Sequence, residues 1–226
     1  MINISKIEYL LRPTAIYPLL RGSFRRAALR QWRRTAKPPA PLEVKAQIIR
    51  EYAARYGLKN FIETGTFFGD MLAALRDDFD ALTTIELDVA LAAAATRRFA
   101  KEPKITVIQG DSAHVLPTLL ATLEQPALFW LDGHFSGGVT AKGETDTPII
   151  TELIHLFAAA RRDHVVLIDD ARLFGTAAEY PSLAAIETLV RTHRPEWAMR
   201  VETDLIRLEA NIGQVPRASG PGSASA

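Results

Sequence analysis

Five short apolar runs in this chain each end in an acid or lead directly into one. The first runs into Glu63-Thr64-Gly65-Thr66-Phe67-Phe68-Gly69, the second into Glu86-Leu87-Asp88 and the third into Gln109-Gly110-Asp111-Ser112. The fourth meets Asp132-Gly133-His134 and the fifth Asp169-Asp170. Gly65 and Gly69 allow a sharp backbone turn and the close approach of a ligand. Glu63, just before that turn, repels phosphate and attracts a positive amino or sulfonium group. A G-x-G-x-x-G fingerprint, which would seat a pyrophosphate, is missing. Glu86 stands where a carboxylate accepts both hydroxyls of a ribose, and Asp111 and Ser112 where a side-chain oxygen meets an adenine amine. The ordered set implies a cationic nucleoside ligand without phosphate.

Such a set needs strands that stop in register, and the surrounding pattern supplies them. Candidate strands are 60–64, 82–87, 104–109, 127–132 and 164–169, each short and apolar enough to be covered on both faces. Helical patterns at 71–76, 89–99, 112–123 and 147–160 alternate with them, with Thr147 as N-cap and Pro148 at the first helical position of the last. This alternation predicts an α/β, doubly wound, mostly parallel sheet, whose ligands sit beyond the carboxyl ends of the strands. A helix over 181–192 follows, then strands 197–201 and 205–209, whose short link forces an antiparallel hairpin and brings the sheet to seven strands. Before the first strand, a helix over 42–56 carries Val44, Ile48, Ile49 and Tyr52 at helical spacing and ends at Gly57.

With these residues and the final hairpin, the chain resembles the class I S-adenosylmethionine-dependent methyltransferases over about residues 58–209, with a seven-stranded Rossmann-like sheet. The resemblance implies that Glu63, Gly65 and Gly69 line the methionine part of S-adenosylmethionine, Glu86 the ribose, and Asp111 and Ser112 the adenine. Asp132 with Asp169 and Asp170 also resembles the metal-dependent sugar O-methyltransferases related to macrocin O-methyltransferase. There, one Asp after the fourth strand and two after the fifth hold a divalent cation beside the methyl donor. Three converging carboxylates repel one another unless a hard cation such as Mg²⁺ joins them. Such a cation would bind the acceptor's hydroxyls and lower the pKa of one. Where that family usually has an Asp read as the general base, two residues after the first metal Asp, this chain has His134. An imidazole suits proton abstraction near neutral pH, so His134 is read as a catalytic base with Asp132, while a fourth metal ligand or a substrate-orienting residue stays open. The implied activity is methyl transfer to a hydroxyl of a small molecule or sugar. Two rivals are a metal-free N- or carboxyl-methyltransferase and a non-catalytic cofactor-binding scaffold in polysaccharide assembly.

The small, polar loop 136–148 reads as a segment that closes over substrate, with Lys142, Glu144 or Asp146 reaching the acceptor. His114, His155, His164 and His193 read as surface or satisfied core, and Phe129 and Trp130 as core. Cysteine is absent, which excludes disulfides and thiolate metal sites.

The net charge of +1 conceals an asymmetry, since residues 1–41 carry nine Lys/Arg against Glu8 alone and the remainder is therefore at −7. Residues 1–41 read as a basic appendage ending in the stiff linker Lys37-Pro38-Pro39-Ala40-Pro41, residues 42–210 as the methyltransferase domain, and 211–226 as a disordered tail. The appendage has three readings: a solvated arm, an amphipathic helix on anionic lipid or against another subunit of a homo-oligomer, and a nucleic-acid contact. Nucleic acid ranks last because aromatics are sparse and no recognition fold accompanies the charge. With no long apolar run or secretory signal, the expected location is cytoplasmic, with a peripheral contact at the inner membrane face open to the basic arm.

Overall fold

In a computed structural model, residues 17–132, 148–161, 163–177 and 179–210 are described. His134 and the loop positions Lys142, Glu144, Asp146 and Thr147 lie outside them, as does the tail 211–226. The elements in chain order are α1 (Tyr17–Thr35), α2 (Leu42–Tyr56), β1 (Asn60–Thr64), α3 (Asp70–Leu75), β2 (Ala81–Glu86) and α4 (Val89–Arg98). Then come β3 (Ile105–Gln109), α5 (Ser112–Thr122), β4 (Ala127–Leu131), α6 (Ile149–Ala158), β5 (Val165–Ile168), a 3₁₀ turn (Ala171–Leu173), α7 (Leu183–His193), β6 (Trp197–Glu202) and β7 (Leu205–Ala210).

The strands form one sheet in the order β3-β2-β1-β4-β5-β7-β6, parallel except where β7 runs antiparallel to both β5 and β6. This is the predicted doubly wound sheet with its C-terminal hairpin. The chain turns between β6 and β7 on Thr203 and Asp204, both at positive φ (56° and 63°), the conformation that matches the twist of a two-residue hairpin.

Side chains alternate across the central strands, so one sequence stretch feeds two cores. Leu128 and Trp130 of β4 face α2 and α3 with Ile49, Tyr52, Leu72 and Phe61, whereas Ala127, Phe129 and Leu131 face α5, α6 and α7 with Leu116, Leu153 and Ile186. Phe129 and Trp130 are fully buried, as expected. His164 is also a satisfied core residue, its Nδ1 accepting a hydrogen bond from the Ala127 backbone N–H at 3.1 Å.

Local caps hold the helices where the strand ends need them. Gly57 ends α2 at φ 65°, Asp88 accepts from the Ala90 and Leu91 N–H groups to start α4, and Asp111 accepts from Ala113 N–H to start α5. Pro148 sits in the N-cap position of α6, one residue before the helix, rather than at its first position.

The larger difference lies at the N-terminus, where a 19-residue helix spans part of the segment read as an appendage. Arg21 and Arg25 of α1 pair with the two oxygens of Asp70, each at 3.0 Å, and Ala40 of the linker is buried. The helix is not merely a solvated arm. No helix among the described residues is long and apolar enough to cross a membrane.

Candidate active site

The register of β1, β4 and β5 brings Glu63, Asp132, Asp169 and Asp170 to the same edge of the sheet. Thr64 pairs with Leu131 and Leu131 with Ile168, so the residues after these partners emerge side by side. Asp132 N–H donates to Thr64 O at 3.1 Å and Asp169 N–H to Leu131 O at 3.0 Å, which carries the ladder one step past each strand. Asp132, Asp169 and Asp170 each offer a carboxylate oxygen within 4.8 Å of the others. Asp170 takes up a left-handed conformation, φ 58° and ψ 41°, a strained choice for a residue other than glycine. Arg172 N–H donates to Asp204 at 2.9 Å, while its guanidinium pairs with Asp204 and with Asp170 at 2.7 Å. The hairpin tip therefore clamps the turn that presents Asp170.

A lysine enters this acidic cluster from α2. Lys45 Nζ pairs directly with Asp169 Oδ2, lies 3.9 Å from Asp170 Oδ1, and stands 6.0 Å above the Trp130 ring. Burial pulls its pKa down, but Asp169, Asp132 and Asp170 outweigh burial and hold it above the ordinary lysine value. For Asp169, burial pushes the pKa up, and Lys45 opposes the push less than fully. Tyr180 lies close enough that burial and then the three carboxylates raise its phenol.

The glycine turn is built around two other acids. Glu63 is 2% exposed, and its carboxylate accepts from Thr84 Oγ1 at 2.9 Å. Burial raises its pKa well above that of a free glutamate, Thr84 pulling in the opposite direction. Its negative charge becomes favourable only when a cation meets it. Glu86 accepts from Phe67 N–H at 2.7 Å and Asp88 N–H at 3.0 Å, one on each oxygen, leaving lone pairs for hydroxyl donors. Burial also raises its pKa. Gly65 is at φ 86° and lines the cavity. Gly69, at φ 70°, is not among the residues lining it, and a Cβ there would meet the Phe99 ring at 2.7 Å. Its missing side chain makes room for helix α4.

A cavity of about 510 Å³ opens over these groups. Glu63, Gly65, Phe67, Lys45, Asp132 and Asp169 line it, together with Arg25 and Trp32 of α1. The linker residues Lys37 to Pro41 line it as well.

At the end of β3, Asp111 is occupied as a helix cap, and Ser112 is buried beside Glu152 of α6. Glu152 is 1% exposed, and burial lifts its pKa to about 7, with Ser112 and Thr64 drawing it back. Neither Glu152 Oε1 nor Thr64 Oγ1 has a hydrogen-bond partner of good geometry among the described residues.

No protein-family model matches the sequence, and no curated protein resembles it at the sequence level. Solved structures do resemble it in shape. The O-methyltransferase from Bacillus cereus in complex with SAH superposes over 82% of this chain and 89% of its own at a TM-score of 0.55 and 13% identity. SAH-bound PaMTH1 of Podospora anserina covers 81% of this chain and 87% of its own at 0.54 and 14%. TomG, the O-methyltransferase of Streptomyces achromogenes in tomaymycin synthesis, in complex with SAM, covers 83% and 87% at 0.51 and 19%. The fold is that of the class I methyltransferases.

Within that fold, Glu63, Gly65, Asp132 and Asp169 share one cavity, Asp170 joins the last two, and Glu86 lies at the glycine turn beside it. Asp111 and Ser112, at the head of α5, do not line that cavity but follow Gly110, whose N–H donates to Glu86 O at 2.9 Å. Sequence reasoning missed Lys45, Arg172, Tyr180 and the wall contributed by α1. Lys45 did leave a signal: with Ile49 and Tyr52 it forms an i, i+4, i+7 series on the apolar face of α2, where a lone charge requires a buried partner.

Proposed function

We propose that this chain transfers the methyl group of S-adenosylmethionine to a hydroxyl of a small-molecule or sugar acceptor, assisted by a divalent cation on Asp132, Asp169 and Asp170. The single observation that carries the reading is the convergence of these three carboxylates, two of which line a cavity that also holds Glu63. The O-methyltransferases of similar fold, recorded with SAM or SAH, add support.

The residues present fit both groups by their donor chemistry. A buried carboxylate at Glu63 suits an ammonium or sulfonium, the spare lone pairs of Glu86 suit a ribose, and an all-oxygen set suits Mg²⁺ better than a soft metal. Bound there, the cation would lower the pKa of an acceptor hydroxyl and the sulfonium would supply an electrophilic methyl group. Asp132, Asp169 and Asp170 would fix the acceptor oxygen beside the donor site. His134 would take the hydroxyl proton, an imidazole being half-protonated near neutral pH. The wall of α1 and the linker, with Trp32 and the prolines, would shield the transfer from water and select the acceptor's shape.

Lys45 favours a second reading. Its ammonium already compensates Asp169, so the acids could orient an acceptor without metal, as in an N- or carboxyl-methyltransferase. Transfer of labelled methyl groups to hydroxylated acceptors separates the two. Activity abolished by excess chelator and restored by Mg²⁺ supports the first reading; full activity in chelator removes the cation from it.

A further inference from the structure

Three carboxylates this close should splay apart unless something positive lies among them; Arg172 reaches Asp170 at 2.7 Å, and at Asp169 that role belongs to Lys45. Its ammonium contacts Asp169 Oδ2 and approaches Asp170 Oδ1 to 3.9 Å, so it uses the oxygens that a divalent ion would need. Only 13% of the Lys45 side chain is exposed, and α2, from which it comes, is fixed by Ile48, Ile49 and Tyr52 in the core. The lysine is thus held in the site by the fold, unlike a surface side chain that merely finds an acid nearby.

We propose that Lys45 is a tethered counter-cation that holds the Asp132–Asp169–Asp170 cluster together without metal and must be displaced from Asp169 when a divalent cation binds. This rests on the cation-assisted reading above and adds a device that sets the affinity of the site. The physical reason is repulsion. An ion bonded to Asp169 Oδ2 at the 2.0–2.1 Å usual for Mg²⁺ would stand within a few ångströms of an ammonium on the same oxygen, in a largely desolvated setting where like charges interact strongly. Lys45 also lines the cavity, so the displaced ammonium has room to swing towards the acceptor space. Loading the cation would therefore deliver a positive group to the acceptor side.

The same geometry predicts how substitution acts. Removing the charge removes the competitor, whereas moving it to an arginine retains it. Mn²⁺ binding to the full chain, measured by electron paramagnetic resonance without S-adenosylmethionine, should give a Kd about tenfold lower or better for Lys45→Gln than for wild type. Lys45→Arg should stay near wild type. Equal or weaker binding by a folded Lys45→Gln, with wild type still binding, overturns the tethered-cation role and leaves the metal reading standing. Absence of Mn²⁺ binding in wild type and variant alike overturns the metal reading, and this role with it. If Lys45→Gln does not fold, the wild-type chain decides: the Lys45 ε-methylene resonances should shift as Mg²⁺ is added, and resonances that stay fixed while Mg²⁺ binds contradict displacement.

Discussion

Glu152 and His164 are both buried titratable side chains outside the proposed chemistry, and they respond to pH in opposite directions. The folded pKa of His164 falls to about 4, chiefly through burial. Its contribution is therefore complete above the unfolded value near 6.5 and is lost as pH falls through about 4. The folded pKa of Glu152 rises from 4.5 to about 7. Its contribution is complete below 4.5 and is lost as pH rises through about 7. Glu152→Gln keeps the shape, removes the ionisation and offers an amide donor to the neighbouring Thr64 hydroxyl. Urea unfolding should find variant and wild type nearly equal at pH 4 and the variant more stable at pH 8, by about 1–3 kcal/mol. A difference that does not grow with pH would mean that Glu152 is ionised at little expense in the fold.

At the scale of elements, the final hairpin positions the acidic turn as well as closing the sheet. Asp204 receives the Arg172 backbone N–H and its guanidinium, while Ala171 N–H donates to Asp204 O at 2.9 Å. Asp204→Ala keeps the backbone bond and removes the clamp on Arg172, so Asp170 should lose its fixed place. The expected outcome is a fall in Tm of a few degrees, about 1–2 kcal/mol for a buried charge-assisted contact, with methyl transfer reduced further than that loss of stability explains. Unchanged activity in the folded variant would separate the hairpin from the site. The strands carrying these groups were legible in sequence to within one or two residues at their ends, because short apolar runs bounded by turn residues have few alternatives in a parallel sheet. Gly57 as the end of α2 was legible for the same local reason. Lys45–Asp169 and Arg172–Asp204 were not, since partners 124 and 32 residues apart are brought together only by tertiary packing. A helix at α1 was among the readings of its sequence, but its docking was not, because that is set by ion pairs with Asp70, 49 and 45 residues away. Gly69 adopts the positive φ that its turn requires, and its bare Cα also accommodates the Phe99 ring.

Across the whole molecule, the cavity is lined by two different parts of the chain, which the proposed function assigns to methyl donor and acceptor. On the proposed reading, strand ends and the glycine turn would supply the first, and α1, the linker and α2 most of the second. Asp70 joins the two, receiving Arg98 at 3.0 Å as well as Arg21 and Arg25. Replacing Arg21 and Arg25 together by alanine leaves Asp70 paired with Arg98, so the domain should keep its stability within about 1 kcal/mol, as for partly exposed ion pairs. The acceptor KM should rise several-fold while S-adenosylhomocysteine affinity stays within about twofold; a matching loss of both would place α1 over the donor instead. If the strand ends form a site for S-adenosylmethionine, calorimetric titration of the full chain with S-adenosylhomocysteine will reveal it. One site per chain is expected, weakened about tenfold or more by Glu86→Ala through loss of the ribose contacts. No heat of binding in the folded wild-type protein, or binding indifferent to Glu86, would contradict the account.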